Sequence, residues 1–171
     1  MSFIGIVSDK RCFEKLKTEL LKNIQNDQIN IIHINLRSIN NIKNIKFETI
    51  IIENEIKKFI NNKTALKKIC ENTKYILINT DINKDYDIIY NPTSIFITYG
   101  LNQKAHITIS SITDTDVLVF CQKSIKNKLG KTTEIEERRI KINDKNKLKV
   151  YEILILYTMF IIYSKNIIEE I

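Results

Sequence analysis

Polar side chains that could contact a ligand follow two short apolar runs of this sequence. Ser8 and Asp9 come directly after FIGIV, and Asn79 and Asp81 stand at the end of YILINTD. Both runs have the length and the β-branched content of buried parallel strands. Because open α/β sheets bind ligands outside the carboxyl ends of their strands, we predict a ligand pocket formed by these side chains. Ser8 and Asp9 also fit the simpler role of capping a following helix.

The string Gly130-Lys131-Thr132-Thr133 looks like the end of a phosphate-binding loop, but its surroundings differ from one. Such a loop needs an earlier glycine, and that position holds Ile125. It also needs a helix directly afterwards, whereas EIEERRIKI alternates as a strand does. We therefore predict a turn between strands here. The turn after FIGIV also lacks a glycine fingerprint, so we expect no bound cofactor.

Neither the histidines nor the cysteines are spaced as metal ligands. His33 and His106 are far apart, each inside a predicted strand, and Cys12, Cys70 and Cys121 are widely separated. The cysteines lie in apolar surroundings, which favours buried reduced thiols. No nucleophile with a neighbouring base is recognisable. The sequence thus predicts no metal site, no catalytic residue and no enzyme activity.

The first half of the chain alternates between strand-like and helix-like patterns. Strands are predicted at 3–7, 29–36, 49–52 and 75–79, a helix at 10–25, and further helical turns between 56 and 70. Strands that alternate with helices indicate a parallel sheet. We predict an α/β fold with a Rossmann-like parallel sheet and flanking helices over residues 1–80.

The second half changes character after a polar loop at 81–93. Strands are predicted at 94–99, around 107–109, at 117–121 and around 140–142, which indicates a small antiparallel β extension. Ile135 is out of phase with Ile140, so we expect a bulge in the last strand. The closing stretch 148–163 is apolar around most of its circumference and predicts a buried C-terminal helix between the two sheet regions. Together these elements predict one domain over 1–171, with residues 94–171 as its second part.

Charge and hydropathy exclude some classes of function. The chain has 27 basic and 20 acidic residues, a formal net charge of +7, but its lysines are scattered and form no basic tail. Weak electrostatic binding to nucleic acid is therefore kept only as an alternative. The run VYEILILYTMFIIY is shorter than the roughly 20 apolar residues that a membrane span needs, and it contains Glu152. With no leader-like start either, we expect a cytoplasmic protein without a membrane span.

From Tyr75 onward the order of landmarks resembles the central domain of the Mur ligase family, the ATP-dependent peptide ligases of cell-wall synthesis. YILINTD, ending at Asp81, resembles the "vlNaDD" strand end of that domain. ITYG, ending at Gly100, with Asn102 and Ala105 after it, resembles the "tyG…a" strand. The helix that begins near Val150 and the final NIIEEI resemble the segment that closes the domain.

The resemblance implies an inactive relative of these ligases. Asn79 and Asp81 match family residues that lie near the nucleotide, whereas the P-loop of the GTxGKTT type is missing and the family's paired asparagines fall on Lys149 and Glu152. No carbamylated lysine or Mg²⁺-binding residue is matched. The implied function is a non-catalytic binding or assembly protein with a protein partner or self-association, in cell-envelope or sporulation processes by family analogy. The alternative from the residues themselves is a small-ligand or nucleotide-binding enzyme or sensor.

Overall fold

The computed structural model describes residues 2–24, 28–142 and 148–165, and these form an α/β fold built on one sheet. The strands are β1 Ser2–Val7, β2 Ile29–Ile34, β3 Thr49–Ile52, β4 Tyr75–Asn79, β5 Ile95–Tyr99, β6 Ile107–Ile112, β7 Asp116–Cys121 and β8 Glu136–Lys141. The helices are α1 Lys10–Asn23, α2 Ile39–Ile42, α3 Lys63–Glu71 and α4 Val150–Tyr163, with 3₁₀ helices at Ile56–Asn62 and Tyr86–Ile89. The predicted fold class is confirmed.

The parallel half of the sheet is doubly wound. The strand order β2-β1-β3-β4-β5-β6-β7-β8 shows that the chain moves outward from β1 to β2 and then returns to place β3 on the other side of β1. All pairs from β2 to β5 are parallel. The connections that leave β1 and β3 therefore diverge at the carboxyl edge. In folds of this kind a crevice opens at such a switch point.

Two apolar layers cover the two faces of the sheet. Helices α1 and α4 lie on one face, where Leu16 and Leu156 belong to the same buried cluster as Ile51 of β3. Helix α3 and the 3₁₀ helices lie on the other face, with Leu66 in one cluster with Ile50. The neighbours Ile50 and Ile51 thus point to opposite layers, which explains why the short strand β3 is apolar throughout.

Helix α1 begins and ends as its sequence requires. Asp9 is its N-cap and accepts a 2.9 Å hydrogen bond from the Cys12 amide. Phe13, Leu16 and Leu20 recur at helical spacing and are buried against the sheet. The predicted helix 10–25 ends at Asn23, and residues 25–27 lie outside the described chain.

The antiparallel extension continues the same sheet. A single residue pair, Tyr99 with Ile107, joins β5 to β6 in parallel, and β7 and β8 then add antiparallel. The prediction of a bulge in the last strand is wrong. The observed bulge lies in β6, between Ile109 and Ser111, where Ser110 is the extra residue. Ile135 is out of phase because it precedes β8, which pairs regularly with β7.

Helix α4 is buried along its length, as predicted, but its place differs from the expected one. Because β6 pairs with β5, there is one continuous sheet, and α4 covers one face of it against α1, β5 and β6 rather than filling a space between two sheets. Leu154, Leu156 and Phe160 are fully inaccessible to water. Within the described residues, no helix combines the length and the apolar character needed to cross a membrane.

Two further expectations concern loops. The predicted strand 29–36 ends at Ile34, because the Asn35 side chain accepts the amides of Arg37 and Ser38 and turns the chain. The string at Gly130 is a turn between strands, as predicted, with the Asn127 side chain accepting the Lys131 amide. The final NIIEEI lies outside the described residues.

Candidate functional site

The predicted pocket residues all lie at the carboxyl edge of the parallel strands, but at two separate places. Ser8 and Asp9 follow β1, beside the switch point, whereas Asn79 ends β4 and Asp81 follows it. Strand β3 stands between β1 and β4 in the sheet. The structure therefore has two candidate sites at this edge, which differ in charge and in openness.

At the first place, Asp9 fills the start of α1 with its own carboxylate. Its Oδ1 accepts from the Cys12 amide, and its main-chain carbonyl accepts from the Phe13 amide at 3.0 Å and from the buried Ser8 hydroxyl at 2.9 Å. In nucleotide-binding loops this helix start holds a phosphate group. In this chain the Asp9 carboxylate accepts from one of the free amides at the helix start.

At the second place, Asn79 and the half-exposed Asp81, which lines an open cavity of about 880 Å³, belong to a hydrogen-bond network that we call the carboxylate network. Asn79 is fully buried, and its Oδ1 accepts from the Asp81 amide at 3.1 Å. Asp81 accepts from the Leu101 amide at 2.6 Å, the Asn102 side-chain amide at 2.8 Å and the Tyr151 hydroxyl at 3.0 Å. Both carboxylate oxygens of Asp81 thus have protein donors.

Glu53, at the end of β3, is the centre of the carboxylate network and was not predicted. Its Oε2 accepts from the Tyr99 hydroxyl at 2.5 Å and from the Asn79 side-chain amide at 3.2 Å. Burial raises the pKa of Glu53, and the hydrogen bonds from Tyr99 and Asn79 oppose that rise. The sequence could have indicated Glu53, because this residue follows the predicted strand 49–52 just as Ser8 follows the predicted strand 3–7.

The two strings that carry the family resemblance meet in this network. Gly100 lies so close to Asp81 that a Cβ atom on it would be 2.8 Å from Asp81 Oδ1 and 2.9 Å from Asn102 Nδ2. The glycine of ITYG is therefore needed for the approach of Asp81 to the β5 end. The observed role of these residues is to join β4 to β5 and, through Tyr151, to α4.

The Cys12 thiol is surrounded by carboxylates of this edge of the sheet. Burial raises the pKa of Cys12 to about 12, and the carboxylates of Glu53, Glu152 and Asp9 add to the rise. The thiolate is the reactive form of cysteine, so this thiol stays inert near neutral pH. Cys70 and Cys121 are likewise free and buried, as predicted.

An open basic cleft lies at the switch point and is the better candidate for a ligand site. It has a volume of about 560 Å³ above the ends of β1, β2 and β3. Its lining is Ser8, Lys10, His33, Asn35, Leu36, Arg37, Asn54, Lys58 and Phe59, with no acidic residue among the described ones. Lys58 has an ion pair with Glu55 at 3.9 Å, whereas Lys10 and Arg37 have no carboxylate partner in the described chain. Of the predicted residues only Ser8 lines this cleft.

His33 lies at the wall of the basic cleft, where its ring has two contacts. Its Nε2 donates to the Ser8 carbonyl at 2.8 Å, and its ring stacks on Phe13 with centroids 4.6 Å apart. Because a carbonyl can only accept, Nε2 carries a proton. No partner for Nδ1 is present in the described part of the chain. His33 is thus a polar residue of the cleft lining whose ring has two contacts with the chain itself.

The second histidine has a structural role. His106 immediately precedes β6 instead of lying inside a strand, and its Nδ1 is 2.7 Å from the Thr98 hydroxyl. Burial lowers its pKa to about 4, so it is neutral at physiological pH. Within 2–24, 28–142 and 148–165, no group of His, Cys, Asp and Glu side chains is arranged to hold a metal ion.

Comparison with known proteins identifies no family for this chain. No protein-family model matches the chain, and no curated protein sequence matches it.

Proposed function

We propose that this chain is a non-catalytic binding domain that holds a small anionic ligand in the basic cleft. One observation carries the proposal: three separate segments, after β1, β2 and β3, each bring a cationic side chain to one crevice, namely Lys10, Arg37 and Lys58. A concave site lined by one sign of charge raises the local concentration of the opposite ion. The position at the switch point is where doubly wound sheets bind ligands.

The chemistry of the cleft favours a phosphate or carboxylate group attached to an apolar body. Arg37 can form two parallel hydrogen bonds with either anion, and His33 adds a polar side chain to the lining. Phe59 and Leu36 supply an apolar wall for the rest of the molecule. Because Asp9 occupies the start of α1, these side chains take the place of the amide cradle that nucleotide-binding loops use.

Thermal unfolding with chosen anions tests this proposal. The probes are inorganic phosphate, pyrophosphate, adenosine monophosphate and malate, each titrated to millimolar concentration, with fluorescence or circular dichroism as the readout. A ligand that binds the folded state raises the unfolding midpoint as its concentration exceeds its dissociation constant. We expect at least one phosphate or carboxylate probe to do so.

Charge-removing variants locate the effect. Arg37→Gln and Lys10→Gln should each weaken binding about tenfold, the usual value of one charge-assisted hydrogen bond. Lys68→Gln, an exposed lysine of α3 outside the cleft, is the matched control and should leave binding unchanged. A midpoint that no probe moves, or an equal loss from Lys68→Gln, would contradict the proposal.

A second candidate function follows from the family resemblance, a Mur-ligase-like assembly domain that has lost its chemistry. The observation that favours it is that Asn79, Asp81, Tyr99, Gly100 and Asn102, which carry the resemblance, form one contiguous structural unit. On this proposal the chain retains these structural residues of the family's central domain and lacks the P-loop that binds phosphate. Binding of ATP with Mg²⁺ at micromolar affinity, measured by calorimetry, would rule out the loss of nucleotide binding that it requires.

A further inference from the structure

The open cavity beside Asp81 is a second place at the carboxyl edge where a ligand fits. Its volume of about 880 Å³ exceeds the 560 Å³ of the basic cleft, and the two share no lining residue among those that the structure describes. The lining comes mainly from the segments that follow β4 and β5 and consists of Thr80, Asp81, Asn83, Lys84, Tyr86, Thr98, Asn102, Gln103 and Lys104. We call it the mixed-charge cavity, because it combines one carboxylate with two ammonium groups.

The carboxylate of Asp81 is held in place without a cation to balance its charge. Its three donors, the Leu101 amide, the Asn102 side-chain amide and the Tyr151 hydroxyl, are all uncharged. No cationic side chain in the described part of the chain forms an ion pair with Asp81. Its Oδ1 accepts only the bond from Asn102, and a carboxylate oxygen can accept two. Asp81 can therefore accept from one further donor at Oδ1, and a cationic donor makes the stronger bond.

The two lysines of the same lining are also unpaired. Lys84 and Lys104 have exposed side chains, and neither forms an ion pair with Asp81 or with any other carboxylate of the described residues. Lys123 donates to the Lys104 carbonyl at 3.3 Å and adds positive charge on that side. Asp85 follows Lys84 in the sequence but does not line the cavity. Charges of both signs therefore line one volume without neutralising each other.

Asn102 places a second acceptor next to Asp81. Its side-chain amide donates to the Thr80 hydroxyl at 3.0 Å and to Asp81 Oδ1 at 2.8 Å, and its Oδ1 accepts from the Lys104 amide at 3.0 Å. One further hydrogen bond can be accepted at Asn102 Oδ1. Because these bonds already order both side chains, a ligand that binds them has little conformational entropy to remove. The cavity thus offers two ordered acceptors and two mobile cationic donors.

We propose that the mixed-charge cavity binds a small zwitterion, such as a free amino acid. The ammonium group of the ligand donates to Asp81 Oδ1 and Asn102 Oδ1, and its carboxylate accepts from Lys84 and Lys104. An ammonium group has three donors and no acceptor, so it matches ordered acceptors, whereas a simple anion would leave the charge of Asp81 unbalanced. Gln103 adds an exposed amide for a polar side chain of the ligand. This site is independent of the anion proposed for the basic cleft.

Calorimetric titration of the full chain with zwitterions of different charge separation tests the proposal. The probes are glycine, serine, glutamine, β-alanine and γ-aminobutyrate, each added to millimolar concentration. We expect at least one of them to bind. Analogues of the best probe that lack either the ammonium or the carboxylate group should bind at least about tenfold more weakly, because each leaves one sign of charge in the cavity unmatched. Absence of binding by every probe, or equally tight binding of a single-charge analogue, would overturn the proposal.

Substitutions locate the binding in this cavity. Lys84→Gln and Lys104→Gln should each weaken binding of the zwitterion about tenfold, whereas Lys68→Gln, outside the cavity, should leave it unchanged. Asp81→Asn removes the charge and should abolish binding. Because Asp81 also supports the fold, Tyr151→Phe is a second control, which removes one hydrogen bond to the same carboxylate and keeps its charge. Circular dichroism shows whether each variant is folded. Lysine variants that bind like wild type, or a loss from Tyr151→Phe equal to that from Asp81→Asn, would contradict the proposed contacts.

Discussion

The Tyr99 hydroxyl lies 2.5 Å from Glu53 Oε2 and donates a hydrogen bond to it, so that β5 is tied to the end of β3 across β4. Asn79 of the intervening strand donates to the same oxygen. A carboxylate at a largely buried strand end needs such donors, because its desolvation is otherwise uncompensated. Glu53 and Tyr99 together fix the relative positions of three strands at the candidate ligand edge.

Removing the Tyr99 hydroxyl should destabilise the fold. In Tyr99→Phe, Glu53 loses its shortest hydrogen bond and the free energy of unfolding should fall by about 1–3 kcal/mol. Guanidinium unfolding measures it. Tyr90→Phe is the control, because Tyr90 is 57% exposed and its substitution should change the free energy little. Equal effects of the two substitutions would contradict the role assigned to Tyr99.

Glu53 should make stability depend on pH with a definite sign. Burial raises its pKa in the folded state, so the unfolded chain ionises first as pH rises. The folded state therefore loses stability between the ordinary glutamate pKa and the raised one, and none of this loss occurs at lower pH. Glu53→Gln should be more stable relative to wild type at neutral pH than at about pH 4. A difference between the two proteins that is the same at both pH values would contradict this expectation.

Substitution of Asp81 should lower the free energy of unfolding, because its carboxylate accepts hydrogen bonds from three separate residues. Asp81→Ala leaves the Leu101 amide, the Asn102 side chain and the Tyr151 hydroxyl without an acceptor, and should cost about 2–4 kcal/mol. Asp114→Ala removes an exposed carboxylate in the turn between β6 and β7 and should be nearly neutral. A double-mutant cycle with Tyr151→Phe should show coupling of about 0.5–1 kcal/mol or more. Full additivity would argue against the contact with α4.

The three cysteines should be unreactive in the folded protein. Burial raises the pKa of Cys12 and of Cys70 to about 12 and also raises that of Cys121. At about pH 8, a thiol-reactive disulfide reagent should modify the native chain slowly and all three thiols rapidly in denaturant. Rapid labelling of one thiol in the native state would show that its site opens readily.

The elements could be predicted from the sequence because their patterns are local. Thr49–Ile52 and Tyr75–Asn79 are short β-branched runs between polar segments, and helix α1 has both a cap and an apolar face. The joining of β5 to β6 could not be predicted, since it depends on one residue pair, Tyr99 with Ile107, that no periodicity marks. The same pair decides whether α4 lies between two sheets or on one.

The candidate site was predicted only in part for a similar reason. Ser8 and Asn79 lie at the predicted edge because Ser8 follows a recognisable strand and Asn79 ends another. The basic cleft was missed because Lys10, Arg37 and Lys58 come from three separated segments of a lysine-rich chain, and the strand order alone brings them together. Convergence of scattered residues is a property of topology and is invisible in a linear pattern.

Helix α4 covers a surface that all the earlier elements have already formed. During synthesis, β1–β8 and α1 leave the ribosome before residues 150–163 do, so any sheet that forms earlier has no α4 to cover this apolar face. Truncation before Val150 would leave a sheet prone to aggregation, in which the surface that should be core is permanently open.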